Sequence, residues 1–250
     1  MSTHIAIDRL GNFADSPGLP VISKVVVHRG IAYTSGVTGE PGADVATQTQ
    51  QALERIDQLL SMVHSDRARL LSAQVWLADM ADFEAHNAVW DRWVDAANPP
   101  ARATVKATLT SPDYLVEVTM VAVSGAKKAF TTPGEDGKPG TPNPSLSSAI
   151  QVGNRVYVAG ITGNTAANKG DVKAQAAESL ARIGRTLKAA GYDFNNIVDA
   201  VVYLPDLGKF ADMNASYVDK LVKDRPARAT VGAGLMGADA AVEIMFTAVK

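Results

Sequence analysis

The chain has 250 residues, 46% hydrophobic and 20% charged, which is apolar material enough for one or two packed cores and far from a disordered composition. Its 24 basic and 26 acidic residues leave a formal charge of -2, so there is no electrostatic footprint for a phosphate backbone and no nucleic acid is expected as partner. With no cysteine, disulfides, thiolate nucleophiles, iron–sulfur clusters and Cys-ligated zinc are excluded. Met1 to Asp8 lacks a basic stretch ahead of an apolar one, and no apolar run approaches the roughly 18 residues of a membrane span. A soluble cytoplasmic protein without membrane contact is the expectation.

In chain order, Lys24–Val27 and Ile31–Thr34 flank His28-Arg29-Gly30 and read as a hairpin. From Ala43 to about Met62, Ala52, Ile56, Leu59, Leu60 and Val63 recur at helical spacing. Leu70–Leu77 reads as a strand and Asp82–Trp93 as a second helix. Ala101–Thr108 and Tyr114–Val123 read as two strands around a turn at Thr110-Ser111-Pro112-Asp113.

This order then repeats. Tyr33-Thr34-Ser35-Gly36-Val37-Thr38-Gly39 returns as Tyr157-Val158-Ala159-Gly160-Ile161-Thr162-Gly163, and Val75-Trp76-Leu77-Ala78-Asp79 as Val202-Tyr203-Leu204-Pro205-Asp206. Phe83, Asn87 and Trp90 correspond to Phe210, Asn214 and Tyr217, and Pro100-Ala101-Arg102-Ala103-Thr104-Val105 to Pro226-Ala227-Arg228-Ala229-Thr230-Val231. A nearly constant offset over a whole half means two duplicated domains rather than a short repeat. Ser124–Pro144, dense in Gly and Pro, reads as the joint. The expected division is residues 1–126, a linker 127–143, and residues 144–250. Each half reads roughly ββαβαββ, an α+β layer of one mixed sheet with two helices on one face.

Arg102 and Glu117 bracket the last two strands of the first half, and Arg228 and Glu243 do so at the same spacing in the second. If the turn at 110–113 joins a hairpin, Arg102 faces about Val121, Glu117 faces Lys106, and parity puts Arg102 and Glu117 on one face. They would stand at opposite ends of a small ligand. The guanidinium would grip a carboxylate through two parallel bonds, and the Glu would position and deprotonate a water. The alternative is ordinary surface charge. Function is favoured because each Glu interrupts an apolar strand and the pair recurs in both halves.

Asn87 and Asn214 could bond a ligand or face solvent, and Ser35-Gly36 and Ala159-Gly160 could admit a ligand close to backbone amides. Trp76, Trp90, Tyr203 and Tyr217 read as core aromatics. His4, His28, His64 and His86 have no counterparts in the second half and no metal-binding spacing, so no metal is expected. Gly232-Ala233-Gly234 with Gly237 falls on a strand and hairpin rather than before a helix, and is not a phosphate loop.

Taken together, Tyr-x-x-Gly-x-x-Gly, a helix, Val-Tyr-Leu-x-Asp-Leu-x-x-Phe-x-x-x-Asn-x-x-Tyr, Arg-Pro-Ala-Arg-Ala-Thr-Val and a late Val-Glu-Ile resemble the RidA/YjgF (Rid) family. The match covers nearly all of Asn143–Lys250 and, more loosely, Leu19–Val123. The resemblance implies two chorismate-mutase-like domains in tandem, with ligand clefts between domains that pack in threes, hence a homo-oligomer with a trimer favoured. It implies hydrolytic deamination of carboxylate-bearing enamines and imines, 2-aminoacrylate-like or aminomuconate-like, to 2-oxo acids and ammonia without a cofactor. Arg102 and Arg228 would bind the substrate carboxylate, and Glu117 and Glu243 would assist the water. Ser35, Gly36, Gly160, Asn87, Asn214, Thr104 and Thr230 would line the ligand. The chain departs from the family at several positions. A family Cys is Thr104 and Thr230, a cleft Tyr falls at Ile22 and Leu146, a Ser becomes Ala159, and a Gln becomes Val37 and Ile161. A non-catalytic carboxylate-binding module and, less favoured, an endoribonuclease are the alternative readings.

Overall fold

The computed structural model describes residues 6–12 and 22–250. His4 lies outside the described residues. The first half runs β1 (Ile7–Asn12), β2 (Ser23–His28), β3 (Ile31–Thr34), β4 (Val37–Thr38), α1 (Val45–Met62), β5 (Leu70–Leu77), α2 (Phe83–Trp93), β6 (Ala101–Lys106) and β7 (Val116–Val123). The second runs β8 (Lys128–Phe130), β9 (Ala149–Val152), β10 (Arg155–Thr162), α3 (Val172–Ala189), β11 (Ile197–Leu204), α4 (Phe210–Lys220), β12 (Ala227–Gly232), β13 (Gly234–Leu235) and β14 (Glu243–Val249).

Local chemistry sets the helix starts in duplicate. Asp44 caps α1 by accepting from Thr47 N at 2.7 Å, and Asp171 caps α3 by accepting from Ala174 N at 2.9 Å. Each long helix then lays an apolar stripe on its own sheet. Leu53, Ile56 and Leu60 pack on Val75, Val118 and Met120, while Leu180, Ile183 and Leu187 pack on Val202, Ile244 and Phe246. Each such side chain, fully buried, contributes about 1.5–3 kcal/mol. Gln48 and Gln175 are buried beneath these helices and bind the loop before the last strand of their own half. Gln48 bonds Asp113 O and Leu115 N, and Gln175 bonds Asp239 O and Ala241 N, all at 2.9 Å.

The sheets are ordered β1-β2-β3-β7-β5-β6-β13, with β4 also on β7, and β12-β11-β14-β10-β9-β8. This corrects the expected hairpin. β6 follows a helix and runs parallel to β5, as a β–helix–β crossover requires, and β7 pairs with β5 on its other side. The chain between them crosses the end of β5, where Ala107 N bonds Leu77 O and Ala78 N bonds Leu115 O. The segment read as a linker supplies β8, an edge strand, which needs only one ladder. Gly232–Gly237 departs from a hairpin too. Its β13 leaves the second sheet and pairs antiparallel with β6 of the first, through Gly234↔Lys106 and Leu235↔Val105.

The helix-free faces of the two sheets meet. Leu71, Ala101 and Val123 pack with Ile150, Tyr157 and Ala159, and Val105 packs with Tyr203, Leu235 and Ala240. β6 is thereby covered by the second domain.

Gly163 lets α3 approach its sheet, because a Cβ there would stand 1.9 Å from Gln175 O. Gly163→Ala is expected to lower stability by about 1–3 kcal/mol or more, read as a lower midpoint in thermal unfolding. An unchanged midpoint would contradict this packing.

Candidate active site

Arg102 and Glu117 do not share a face. Arg102 lies opposite Ala73 and Glu117 opposite Trp76 on β5, and an odd separation along one strand puts them on opposite sides of the sheet. The same holds for Arg228 opposite Ala200 and Glu243 opposite Tyr203. Domain docking re-pairs the groups, because it brings Arg102 of the first domain to Glu243 of the second.

Arg102 points to the helix side of β6 and is only 5% exposed. Its Nη2 donates to Asn87 Oδ1 at 2.8 Å, and its guanidinium lies 4.8 Å from the Trp90 ring centroid. Asn87 in turn donates to Asp91 Oδ2 at 2.9 Å, and Trp90 Nε1 donates to Ser145 O at 2.9 Å, which ties the shelf to the start of the second domain. Burial lowers the Arg102 pKa to about 10, against the pull of Asp91 and Glu243, so it remains a cation at neutral pH. Arg102 Nη1 and Thr104 Oγ1, on the same face of β6, are buried with no protein hydrogen-bond partner. Unpaired buried polar atoms of this kind are costly unless a ligand or water meets them.

Glu243 is equally buried, at 5% exposure. Burial pushes its carboxyl up to about 8, against the opposing pull of Arg102. The carboxyl lies over Gly160, where a Cβ would stand 1.9 Å from Glu243 Oε1 and 2.9 Å from Ala103 Cβ. Gly160 is therefore required both by the carboxyl and by the domain seam. Gly36 serves Glu117 in the same way, with a Cβ site 1.8 Å from Glu117 Oε1. Glu117 is half-buried, and its pKa is raised by burial. Ser35, Gly36, Val37, Thr38 and Arg55 line an open cavity of about 310 Å³ beside it.

Arg228 repeats the shelf in the open. It donates to Asn214 Oδ1 at 3.0 Å and lies 4.4 Å from the Tyr217 ring centroid and 5.5 Å from that of Phe210. Thr230 Oγ1 is again buried without a protein partner. Ala227, Ala229 and Val231 are exposed, although the matching Ala101, Ala103 and Val105 are buried. The chain thus brings one Arg–Glu pair together, Arg102 with Glu243, and leaves Arg228 and Glu117 as separate halves of the matching pair.

Sequence reasoning missed Trp90 and Tyr217 as arginine shelves. Each stands one helical turn after its Asn, on the same helix face, and that spacing was the available signal. It also missed Gln74 and Tyr203, which meet across the seam. Among the described residues, no group of three His, Asp or Glu could hold a metal ion, and no helix is long and apolar enough to cross a membrane.

Comparison with known proteins agrees with this architecture. A family model described as "Endoribonuclease L-PSP" matches twice, over residues 20–124 and 139–250. A RutC family protein of Haemophilus influenzae is 40% identical over 103 residues, which are 40% of this chain and 89% of that protein. The RutC family protein YoaB of Escherichia coli is 42% identical over 100 residues, 40% of this chain and 88% of its own length. Among solved structures, a YjgF-family protein of Neisseria meningitidis is 37% identical, with a TM-score of 0.45, over 49% of this chain and 98% of that one. A chorismatase structure superposes over 90% of this chain and 77% of its own, with a TM-score of 0.69 at 17% identity, a likeness of fold alone. The two domains define a tandem α+β protein with a candidate site at their seam. The chain belongs to the endoribonuclease L-PSP family, that of the RidA/YjgF and RutC proteins, as a member with two such domains in tandem.

Glu243 gives the site a pH signature. Its folded pKa of about 8 lies above the ordinary 4.5, so between those values only the folded state holds the proton and stability falls as pH rises. Glu243→Gln is expected to gain on wild type across that window, by at most about 1.4 kcal/mol per pH unit, and no further above it. Urea unfolding at acid and alkaline pH measures the difference, and a gap independent of pH would contradict a desolvated carboxyl.

Proposed function

We propose that this chain is a hydrolytic deaminase of reactive enamines and imines that carry a carboxylate, and that the cleft between its own domains is the working site. The observation that carries the reading is the pairing of Arg102, a buried cation with a free N–H, with Glu243, a buried carboxyl that holds its proton near neutral pH. Arg102 and Asn87 would receive the substrate carboxylate, with Thr104 and Gly160 lining the space. Arg228, Asn214, Thr230, Ser35, Gly36 and Glu117 are the matching groups of the other half-sites, which have Trp76 in place of Tyr203 and a half-buried Glu117, and in this reading they add little binding or turnover.

For a 2-aminoacrylate-like enamine, Glu243 gives its proton to the terminal carbon, which leaves an iminium beside the carboxylate. Glu243, now ionised, takes a proton from water as the oxygen adds to the iminium carbon. It then returns that proton to nitrogen and accepts the hydroxyl proton as the carbinolamine collapses. Ammonia and the 2-oxo acid leave, and the carboxyl is regenerated. Such substrates hydrolyse unaided, so orientation and acid–base help suffice.

On this reading, kcat with an enamine generated in situ falls as pH rises through about 8. Glu243→Gln lowers kcat roughly a hundredfold or more. Arg102→Ala raises KM on the order of tenfold to a hundredfold, while Arg228→Ala and Glu117→Gln keep most of the activity. Saturable binding without any 2-oxo acid release would instead establish a carboxylate-binding module.

We also infer self-association. Ala227, Ala229 and Val231 repeat the buried Ala101, Ala103 and Val105, yet they stand on an uncovered edge with Val231 43% exposed. Because in-chain docking already covers β6, a further contact is expected to use the uncovered β12. Light scattering is expected to give a multiple of the 26.3 kDa chain, with three chains the number the family resemblance favours. A single-chain mass at all concentrations would contradict it.

A further inference from the structure

The two clefts are not built alike, and the difference lies next to Glu243. Tyr203 on β11 stands directly opposite Glu243 on β14, on the face turned toward the first domain. Its hydroxyl donates to Gln74 Oε1 at 3.1 Å, and Gln74 belongs to β5 of the first domain. This bond therefore crosses the seam, at a phenol only 6% exposed. At the corresponding places around Glu117 stand Trp76, opposite that carboxylate, and Val201, the counterpart of Gln74. An indole and a valine make no such bond, so the other cleft has no equivalent tether.

Among the described residues, Arg102 from β6 and Tyr203 from β11 interact electrostatically with Glu243, and the Gly160 backbone lies against its carboxyl with the Ala103 methyl beside that glycine. Tyr203 is pushed up to about 12, first by burial and then by the charge of Glu243, so it is neutral throughout the working range. With its proton committed to Gln74, the phenol brings no compensating charge to the carboxyl. It occupies space that water would otherwise enter.

We propose that Tyr203, anchored across the domain seam by Gln74, is a positioning residue that holds Glu243 dry over Gly160 and facing Arg102, and so makes the in-chain cleft the one whose carboxyl delivers a proton. The role in proton delivery rests on the deaminase reading, but the environment of Glu243 is measurable without it. In the full chain with ¹³C-labelled glutamate side chains, the Glu243 carboxyl resonance is identified by its loss in Glu243→Gln and titrated in wild type, Tyr203→Phe, Gln74→Leu and the double variant.

Each single variant is expected to lower the Glu243 midpoint by about one pH unit or more, with the double variant no lower than the singles and Glu117 unmoved. Tyr203→Phe keeps the ring and Gln74→Leu keeps the volume, so one folded variant suffices for the test. A midpoint one pH unit lower leaves about a fifth of the protonated carboxyl at pH 8, so kcat there should fall about fivefold, with KM and the activity at pH 6 unchanged. Unchanged or raised midpoints in the folded variants would overturn the proposal. A lowered midpoint in a protein without deaminase activity would leave the tether standing and overturn the function proposed above.

Discussion

The arrangement depends on how closely β6 of the first domain lies against the second. Its seam-facing residues are Ala101, Ala103 and Val105, and Gly160 of β10 stands so close that a Cβ there would lie 2.9 Å from Ala103 Cβ. Larger side chains on either side would push the sheets apart. With that approach made, Arg102 and Glu243, which belong to different domains and different faces, come within electrostatic reach while both lose their water. Desolvated opposite charges rarely add net stability, because the penalty for leaving water rivals the attraction between them. In the proposed function the pair serves chemistry rather than folding. The acid stays protonated, the cation stays charged, and donors remain unused.

Duplication supplied the parts and docking made them unequal. Both arginines sit on an Asn and an aromatic ring, and both glutamates lie over a glycine. Only Arg102 has a carboxylate, Asp91, behind its Asn, and only Glu243 is sealed by a cross-domain phenol. The position matching Asp91 is Val218, which is exposed. Identical edge residues are buried in β6 and open in β12, so the sequence of the edge does not decide its environment. What stacks on it does.

Much of this was legible in the sequence. Helical periodicity marked α1, a strand-like run marked β5, and internal repetition carried both readings into the second half and exposed the two domains. The arginines, glutamates, asparagines and glycines of the site all stood out because they recur. The pairing of Arg102 with Glu117 was misread because a short turn between two strands looks like a hairpin, whereas a parallel β–helix–β crossover places β5 between them. That error in strand order reversed the face of one residue. Nothing local announces which domain an edge strand will meet, so the Arg102–Glu243 pairing and the Gln74–Tyr203 bond became visible only in three dimensions. Trp90 was legible as apolar and helical, but its role under a guanidinium depends on β6 lying beside α2.

The central claim is that one chain carries one complete cleft, built from Arg102 and Glu243. Isothermal titration calorimetry with a stable 2-oxo acid, the product class of the proposed reaction, tests it most directly. One site per chain, lost in Arg102→Ala and kept in Arg228→Ala, is the predicted result. Binding that survives Arg102→Ala, or disappears in Arg228→Ala, would contradict the account.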